Sequence, residues 1–300
     1  ARVTVNHFWQ QVFGTGIVKT SEDFGSQGEW PSHPDLLDWL AVEFVANGWD
    51  VKDVFRTMVT SATYRQDSTI TPELFARDPE NRLLAHGPRF RLEAEAIRDQ
   101  ALFVSGLLVE KLGGKSVKPY QPDGLWREVA YGSATNARSF LKDEGEGLWR
   151  RSLYTFIKRT APPPGLTVFD APNRENCVVR RQRTNTPLQA LALMNDEQYV
   201  EASRVLAERT MREGGATADE RAFWAFRQVT TRTPSADELG VLLGLYHEQF
   251  HAFLDDDAAA RALIEIGDAP TDAGLDPTEL AAWTLIGNLL LNLDEVLVKS

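Results

Sequence analysis

Residues 276–291, DPTELAAWTLIGNLLL, decide the fold class. Asp276 and Glu279 stand three apart around Pro277, the signature of a capped helix start with proline tolerated in the first turn. Leu280, Trp283, Ile286, Leu289 and Leu290 then recur at helical spacing, with Leu285 beside them. Ala281–Leu291 is the most apolar run of the chain, yet it falls well short of the ~20 residues of a membrane span and contains Thr284, Gly287 and Asn288. This is a core helix of a folded domain, with no membrane span expected.

The same punctuation recurs outward from it. Ser235 and Glu238 form a capping box that opens a helix to about Phe253. Ala218–Val229 carries Phe223, Trp224 and Phe226; Asp196 opens a helix to about Met211; Thr186-Pro187 starts another. In the first third, Ser32-His33-Pro34-Asp35 reads as a capping box before Leu36, Leu37, Leu40 and Phe44, with Asn47-Gly48 as the stop. Asp50 caps a helix whose expected buried stripe is Val51, Val54, Phe55, Met58, Val59 and Ala62. A further helical stretch is expected from Asp78-Pro79, broken at Gly87-Pro88 and resuming from about Arg91 to Leu112, before Gly113-Gly114.

Residues 115–186 differ. They hold scattered Pro and Gly, including Pro162-Pro163-Pro164, and one strand candidate, Ser152–Ile157. The expected fold is therefore mainly α: about nine helices in one domain, with a Pro/Gly-rich, partly β insertion at 115–186 between helical lobes at 1–114 and 187–300. An irregular segment of that length is either functional or wrapped on the core.

The chain has 300 residues and a net charge of −11. That charge argues against nucleic acid, whose phosphates need basic surface, and against anionic membranes. Its single cysteine, Cys177, excludes an internal disulfide and any CxxCH haem attachment, and is expected to be a small buried side chain.

Ordered motifs run nearly end to end. They include Asn6-His7-Phe8-Trp9-Gln10 with Phe13-Gly14-Thr15-Gly16-Ile17-Val18, Glu22-Asp23-Phe24-Gly25, and Pro31-Ser32-His33-Pro34-Asp35-Leu36-Leu37. Ser61-Ala62-Thr63-Tyr64-Arg65-Gln66, Asn81-Arg82-Leu83-Leu84, Arg91-Leu92-Glu93-Ala94-Glu95-Ala96-Ile97-Arg98-Asp99 and Arg150-Arg151-Ser152-Leu153-Tyr154 follow, closing on Asn292-Leu293-Asp294-Glu295. Together these resemble the planctomycete C-terminal domain of unknown function that accompanies cytochrome c domains. His7 departs from that pattern, standing where an arginine is expected. The resemblance implies an exported, periplasmic or cell-surface protein of bacteria that degrade complex polysaccharides. It implies that haem belongs to a separate upstream domain, so no cofactor is expected in this chain, and that those upstream domains are partners. It supplies no catalytic residues.

Candidate chemistry is dispersed. His7, Asp23, His33 and Asp35 could act on a metal or in acid–base work, but their spacing matches no compact motif such as HExxH. No metal site is assigned; His33, Asp23 and Asp170 are the catalytic candidates. Asp268, Asp272, Asp276 and Glu279 approach a calcium loop, with Pro270 at a ligand position and Gly274 one place late. The clearest signal is charge segregation. Residues 136–190 hold ten Lys or Arg against five acids, while 191–300 hold eight against twenty. Arg150, Arg151, Arg180, Arg181 and Arg183 are therefore candidates to bind carboxylate or sulfate, as on an anionic polysaccharide; the alternative is that they pair with the acidic C-terminal helices. For sugar stacking, Trp30 and Trp126 are the expected exposed rings, with Trp9, Trp39, Trp224 and Trp283 in the core.

Overall fold

The computed structural model describes residues 1–129 and 139–299, so Gly132 and Arg138 of the insertion lie outside the described residues. Among the described residues the fold is mainly α, with one two-stranded antiparallel sheet, β1 (Phe90–Arg91) paired to β2 (Val298–Lys299). The chain divides into two compact units. The first comprises Ala1–Arg91, Cys177–Gln182 and the chain end from Val298; the second comprises Leu92–Asn176 and Arg183–Leu297.

In the first unit, α1 (Arg2–Phe13), α2 (Pro34–Ala46) and α3 (Val51–Thr60) enclose a core of Val5, Trp9, Phe13, Ile17, Leu37, Leu40, Phe44, Val54 and Met58. Asp50 caps α3 by accepting from Lys52 N (2.9 Å) and Asp53 N (3.1 Å). The stripe of α3 is narrower than its sequence suggests: Val51 and Val59 are exposed. On α2 the cap residue is His33, without a side-chain cap bond, and the Ser32 hydroxyl donates instead to Ile17 O (3.3 Å). The next helix ends where it was expected to begin. Helix α4 is Pro72–Arg77, and Asp78 closes it. The Asp78 carboxylate then accepts from Arg82 N (2.9 Å) and Leu83 N (2.6 Å), holding a turn where helix was expected. Gly14 is required: its φ is +84°, and a Cβ there would lie 2.7 Å from the Phe90 ring on β1.

The second unit is built on α11 (Pro277–Leu291), which is buried nearly all round. Against it pack α7 (Glu197–Glu213), α9 (Ala236–Asp255) and α10 (Asp257–Ile264), the last of which the sequence pattern does not announce. Helices α6 (Pro187–Asn195), α8 (Ala218–Thr230) and α12 (Asp294–Leu297) complete the cluster. Helix α5 (Ala94–Ser105) belongs to this unit and packs on α7, although it falls within the lobe expected at 1–114. It stops at Gly106, whose φ of +89° supplies the left-handed turn, seven residues short of Gly113.

The described part of the insertion is not a β element. Ser152–Tyr154 is a turn of 3₁₀ helix, and only isolated bridges such as Val117 with Thr155 occur there. Single helical turns at Leu125–Glu128, Glu146–Trp149 and Pro164–Thr167 punctuate it. The segment is tied down by buried polar groups. Arg98 on α5 donates to Leu148 O (2.6 Å), Arg150 O (2.9 Å), Ser152 Oγ (3.1 Å) and Gln198 Oε1 (2.7 Å), while Asp99 accepts from Ser152 N (2.7 Å). Two of the sequence motifs, Ile97-Arg98-Asp99 and Arg150-Arg151-Ser152, therefore meet in space. Glu201, fully buried on α7, accepts from Tyr120 Oη (2.9 Å), Trp149 Nε1 (2.8 Å) and Ala269 N (2.7 Å). Three donors on one carboxylate offset the cost of burying it.

Candidate functional site

The first motif of the chain positions a loop in the first unit. Asn6, Gln10 and Ser21 are buried. Asn6 Nδ2 donates to Val18 O (3.0 Å) and Ser21 Oγ (3.2 Å), and Val18 N donates to Asn6 Oδ1 (2.8 Å). The Ser21 hydroxyl donates to Gln10 Oε1 (2.5 Å), and Gln10 Nε2 donates to Val179 O (3.2 Å). One side chain thus anchors both the loop after α1 and the segment Cys177–Gln182. Arg82 grips the same loop through Gly16 O (2.8 Å) and Ile17 O (3.1 Å). Beyond this anchor, Thr20 Oγ1 donates to Asp23 O (2.8 Å) and accepts from Glu29 N (2.9 Å), and Ser32 N donates to Ile17 O (2.9 Å). A Cβ on Gly28 would fall 2.1 Å from Asp23 O, so only glycine fits that turn. Trp30 sits on this fastened loop with 90% of its surface exposed. A tryptophan ring left in water forgoes substantial hydrophobic stabilisation, and Trp30 is the most exposed tryptophan of the described residues.

The predicted site residues scatter. Asp23 and His33 share the loop but work locally: Asp23 Oδ1 accepts from Gly25 N (2.7 Å), and His33 Nδ1 bonds Ser32 Oγ (3.0 Å). His7 Nε2 lies 3.4 Å from Ser21 O. Asp170 is in the second unit, where its carboxylate accepts from Thr184 N (2.8 Å) and Thr184 Oγ1 (2.9 Å). Among the arginines, Arg150 leaves the anion-binding set. It is buried, donates to Lys111 O (2.7 Å), Gly113 O (2.5 Å) and Lys115 O (3.2 Å), and stacks on Tyr154 at 3.8 Å. Arg151 pairs with Glu110 (3.0 Å) and Arg174 with Glu95 (3.7 Å), not with the acidic C-terminal helices. Lys142 pairs with Asp268 (2.7 Å) on the loop between α10 and α11. Arg180 and Arg181 belong to the first unit and Arg183 to the second. Cys177 is exposed rather than buried.

The tryptophans sort differently from expectation. Trp9 and Trp283 are core and Trp30 is exposed as read, but Trp39 is half exposed and Trp126 is buried. Trp126 is enclosed by Phe140 (5.3 Å) and Phe156 (5.8 Å), with Lys158 over its ring at 4.4 Å. The calcium reading dissolves into ion pairs: Asp268 serves Lys142, Asp272 serves Arg212, Glu279 serves Arg221, and Asp276 caps α11. Among the described residues no three His, Cys, Asp or Glu side chains converge to hold a metal ion.

The second unit holds a polar cavity of about 520 Å³, lined by Tyr120, Asp123, Phe140, Lys142, Asp196 and Glu197 among others. Burial pushes the carboxyls of Asp196 and Glu197 above the usual carboxylate range, and it pushes the Tyr120 phenol up more strongly. A raised carboxyl pKa favours the protonated form that a proton donor requires. The sequence reading passes over this group because its members lie some seventy residues apart. It also passes over a local signal, His247-Glu248-Gln249-Phe250-His251 on α9, which has the HExxH spacing that is missing around His7 and His33.

No curated protein and no solved structure matches this chain. A family model does, over residues 1–246, which is most of the chain and includes the loop anchored by Asn6 and Gln10, the segment 177–182 and the polar cavity. The chain belongs to that family, PSD1, described as proteins of unknown function (DUF1553).

Proposed function

We propose that this chain is a non-catalytic interaction module of an exported, haem-associated multidomain protein, and that its first unit recognises anionic polysaccharide. The haem resides in an upstream domain of the same polypeptide, which is the module's covalent partner. The observation that carries the glycan reading is Trp30, nearly fully exposed on a loop held rigid by buried Asn6, Ser21 and Gln10. The same Gln10 fixes Val179, the neighbour of Arg180. An aromatic face for a sugar ring and guanidinium groups for its sulfate or carboxylate are the two elements such a ligand needs. Binding of the chain to sulfated, carboxylated and neutral polysaccharides at two salt concentrations tests this. Salt-sensitive binding to the charged glycans, lost in Trp30→Ala and in Arg180→Ala without loss of folding, is expected. Unchanged binding in the double variant would sink the reading.

A second reading, an enzyme of polysaccharide breakdown, draws support from the cavity with Asp196 and Glu197. Its test is release of reducing ends from the same polysaccharides, abolished in Glu197→Gln.

A further inference from the structure

Helix α9 is a firm platform. Ser235 and Glu238 cap its start reciprocally, Leu242 and Tyr246 are buried, and Tyr246 stacks on Trp283 of α11 at 4.4 Å. On its outer side stand His247 and His251, both exposed. Residues four apart on a helix are neighbours on one face, with Cβ atoms about 5–6 Å apart. That spacing lets two imidazoles reach one ion. We propose that His247 and His251 form a two-imidazole binding site for a borderline-soft divalent transition metal, zinc or copper. The pair lies just past residue 246, where the family match ends.

The ligand chemistry selects the metal class. Neutral imidazole suits Zn²⁺ and Cu²⁺, whereas Ca²⁺ and Mg²⁺ take oxygen donors. The surroundings select binding over hydrolysis. A metalloprotease of HExxH type needs a third protein ligand, and the described residues offer no third side chain to this pair. Water therefore fills the remaining coordination positions. Tyr246 and Phe250 flank the two rings, at 5.2 Å from His247 and 6.1 Å from His251, which limits their swing.

Calorimetric titration of the tag-free protein with Zn²⁺, Cu²⁺ and Ca²⁺ tests the site. One equivalent of Zn²⁺ or Cu²⁺ is expected, with Cu²⁺ the tighter, and no saturable binding of Ca²⁺. His247→Ala and His251→Ala should each weaken Zn²⁺ by about tenfold or more, because each turns a chelate into a single contact. Both positions are exposed, and the melting temperature of each variant reports whether it folds. Zn²⁺ binding that survives unchanged in the double variant, or no saturable binding of either metal by the unaltered chain, overturns the proposal.

Discussion

The two units bury polar groups of different kinds. In the first, the interior polar residues are neutral: Asn6, Gln10 and Ser21 exchange hydrogen bonds with one another and with backbone. In the second, neutral groups such as Gln198, Ser203 and Asn288 are joined by charged ones: Arg98, Arg150, Glu201, and the pair Arg204 with Glu208 at 2.5 Å. The charges of the second unit are answered mostly by backbone and by fixed rings, and they hold irregular chain at 109–156 against helices. The amides of the first unit hold the loop after α1 and, through Gln10, the segment Cys177–Gln182. A charge taken out of water is tolerated only with several partners, so the second unit spends its polar groups on fixing its own interior. A neutral anchor needs fewer, and it leaves Trp30 outside. On the proposed reading, the second unit's buried charges serve stability, while the first unit's anchor positions a presented surface.

The largest effect should come from the charged side. Arg98→Ala removes four hydrogen bonds and strands the acceptors of Leu148, Arg150 and Gln198. A loss of about 3–5 kcal/mol is expected, read by chemical denaturation, together with faster hydrogen exchange across residues 148–156. The neutral anchor should cost less. Asn6→Ala leaves Val18 N unpaired and Val18 O with only the Ser21 hydroxyl at 3.4 Å, at about 1–3 kcal/mol. It should also weaken glycan binding by loosening the Trp30 loop. If Asn6→Ala costs as much as Arg98→Ala, the distinction between the units fails.

How much of this was legible follows the range of the interactions. The caps at Thr186, Asp196, Ser235 and Asp276 are local, and the helices they open start where the sequence places them. The stop at Gly106 was hidden because Gly113 and Gly114 offer the same chemistry, and only packing chooses between them. Arg150 and Trp126 were misplaced for a longer-range reason. Whether a guanidinium is buried depends on carbonyls at 111–115, and whether a ring is buried depends on Phe140 and Phe156. Neither is encoded within a turn of the residue concerned. Trp30 was legible because Gly28 and Pro31 beside it already exclude a packed element.

An exposed ion pair should sharpen the comparison at smaller scale. Arg232 bridges Glu238 (2.5 Å) and Glu295 (2.8 Å) at the surface of the second unit. The Arg232 guanidinium, helped by the Ser235 backbone N–H, holds the Glu238 carboxyl down to about 2. A carboxyl with a depressed folded-state pKa adds stability above its unfolded value, near 4.3. That contribution disappears as pH falls from there toward 2. Melting temperatures measured from pH 6 to pH 2.5 should show a steeper acid decline in the unaltered chain than in Glu238→Gln. The two should converge at the acid end. Exposure limits the difference to under about 1 kcal/mol, well below the effect of Arg98, so charge matters here chiefly where water is excluded.

The smallest expected change in stability belongs to Trp30→Ala. The ring is exposed and the loop is fixed by bonds that do not involve its side chain, so unfolding free energy should move by no more than about 0.5 kcal/mol. A core tryptophan behaves otherwise: Trp283→Ala, at a fully buried position, should cost about 3–5 kcal/mol. Denaturation of the two variants side by side measures that contrast. If Trp30→Ala destabilised the chain by several kcal/mol, the ring would be part of the fold, and the loop would lose its claim to be a presented surface. If it leaves stability untouched and removes binding to charged glycans, the same ring that contributes nothing to folding is the one that makes the contact.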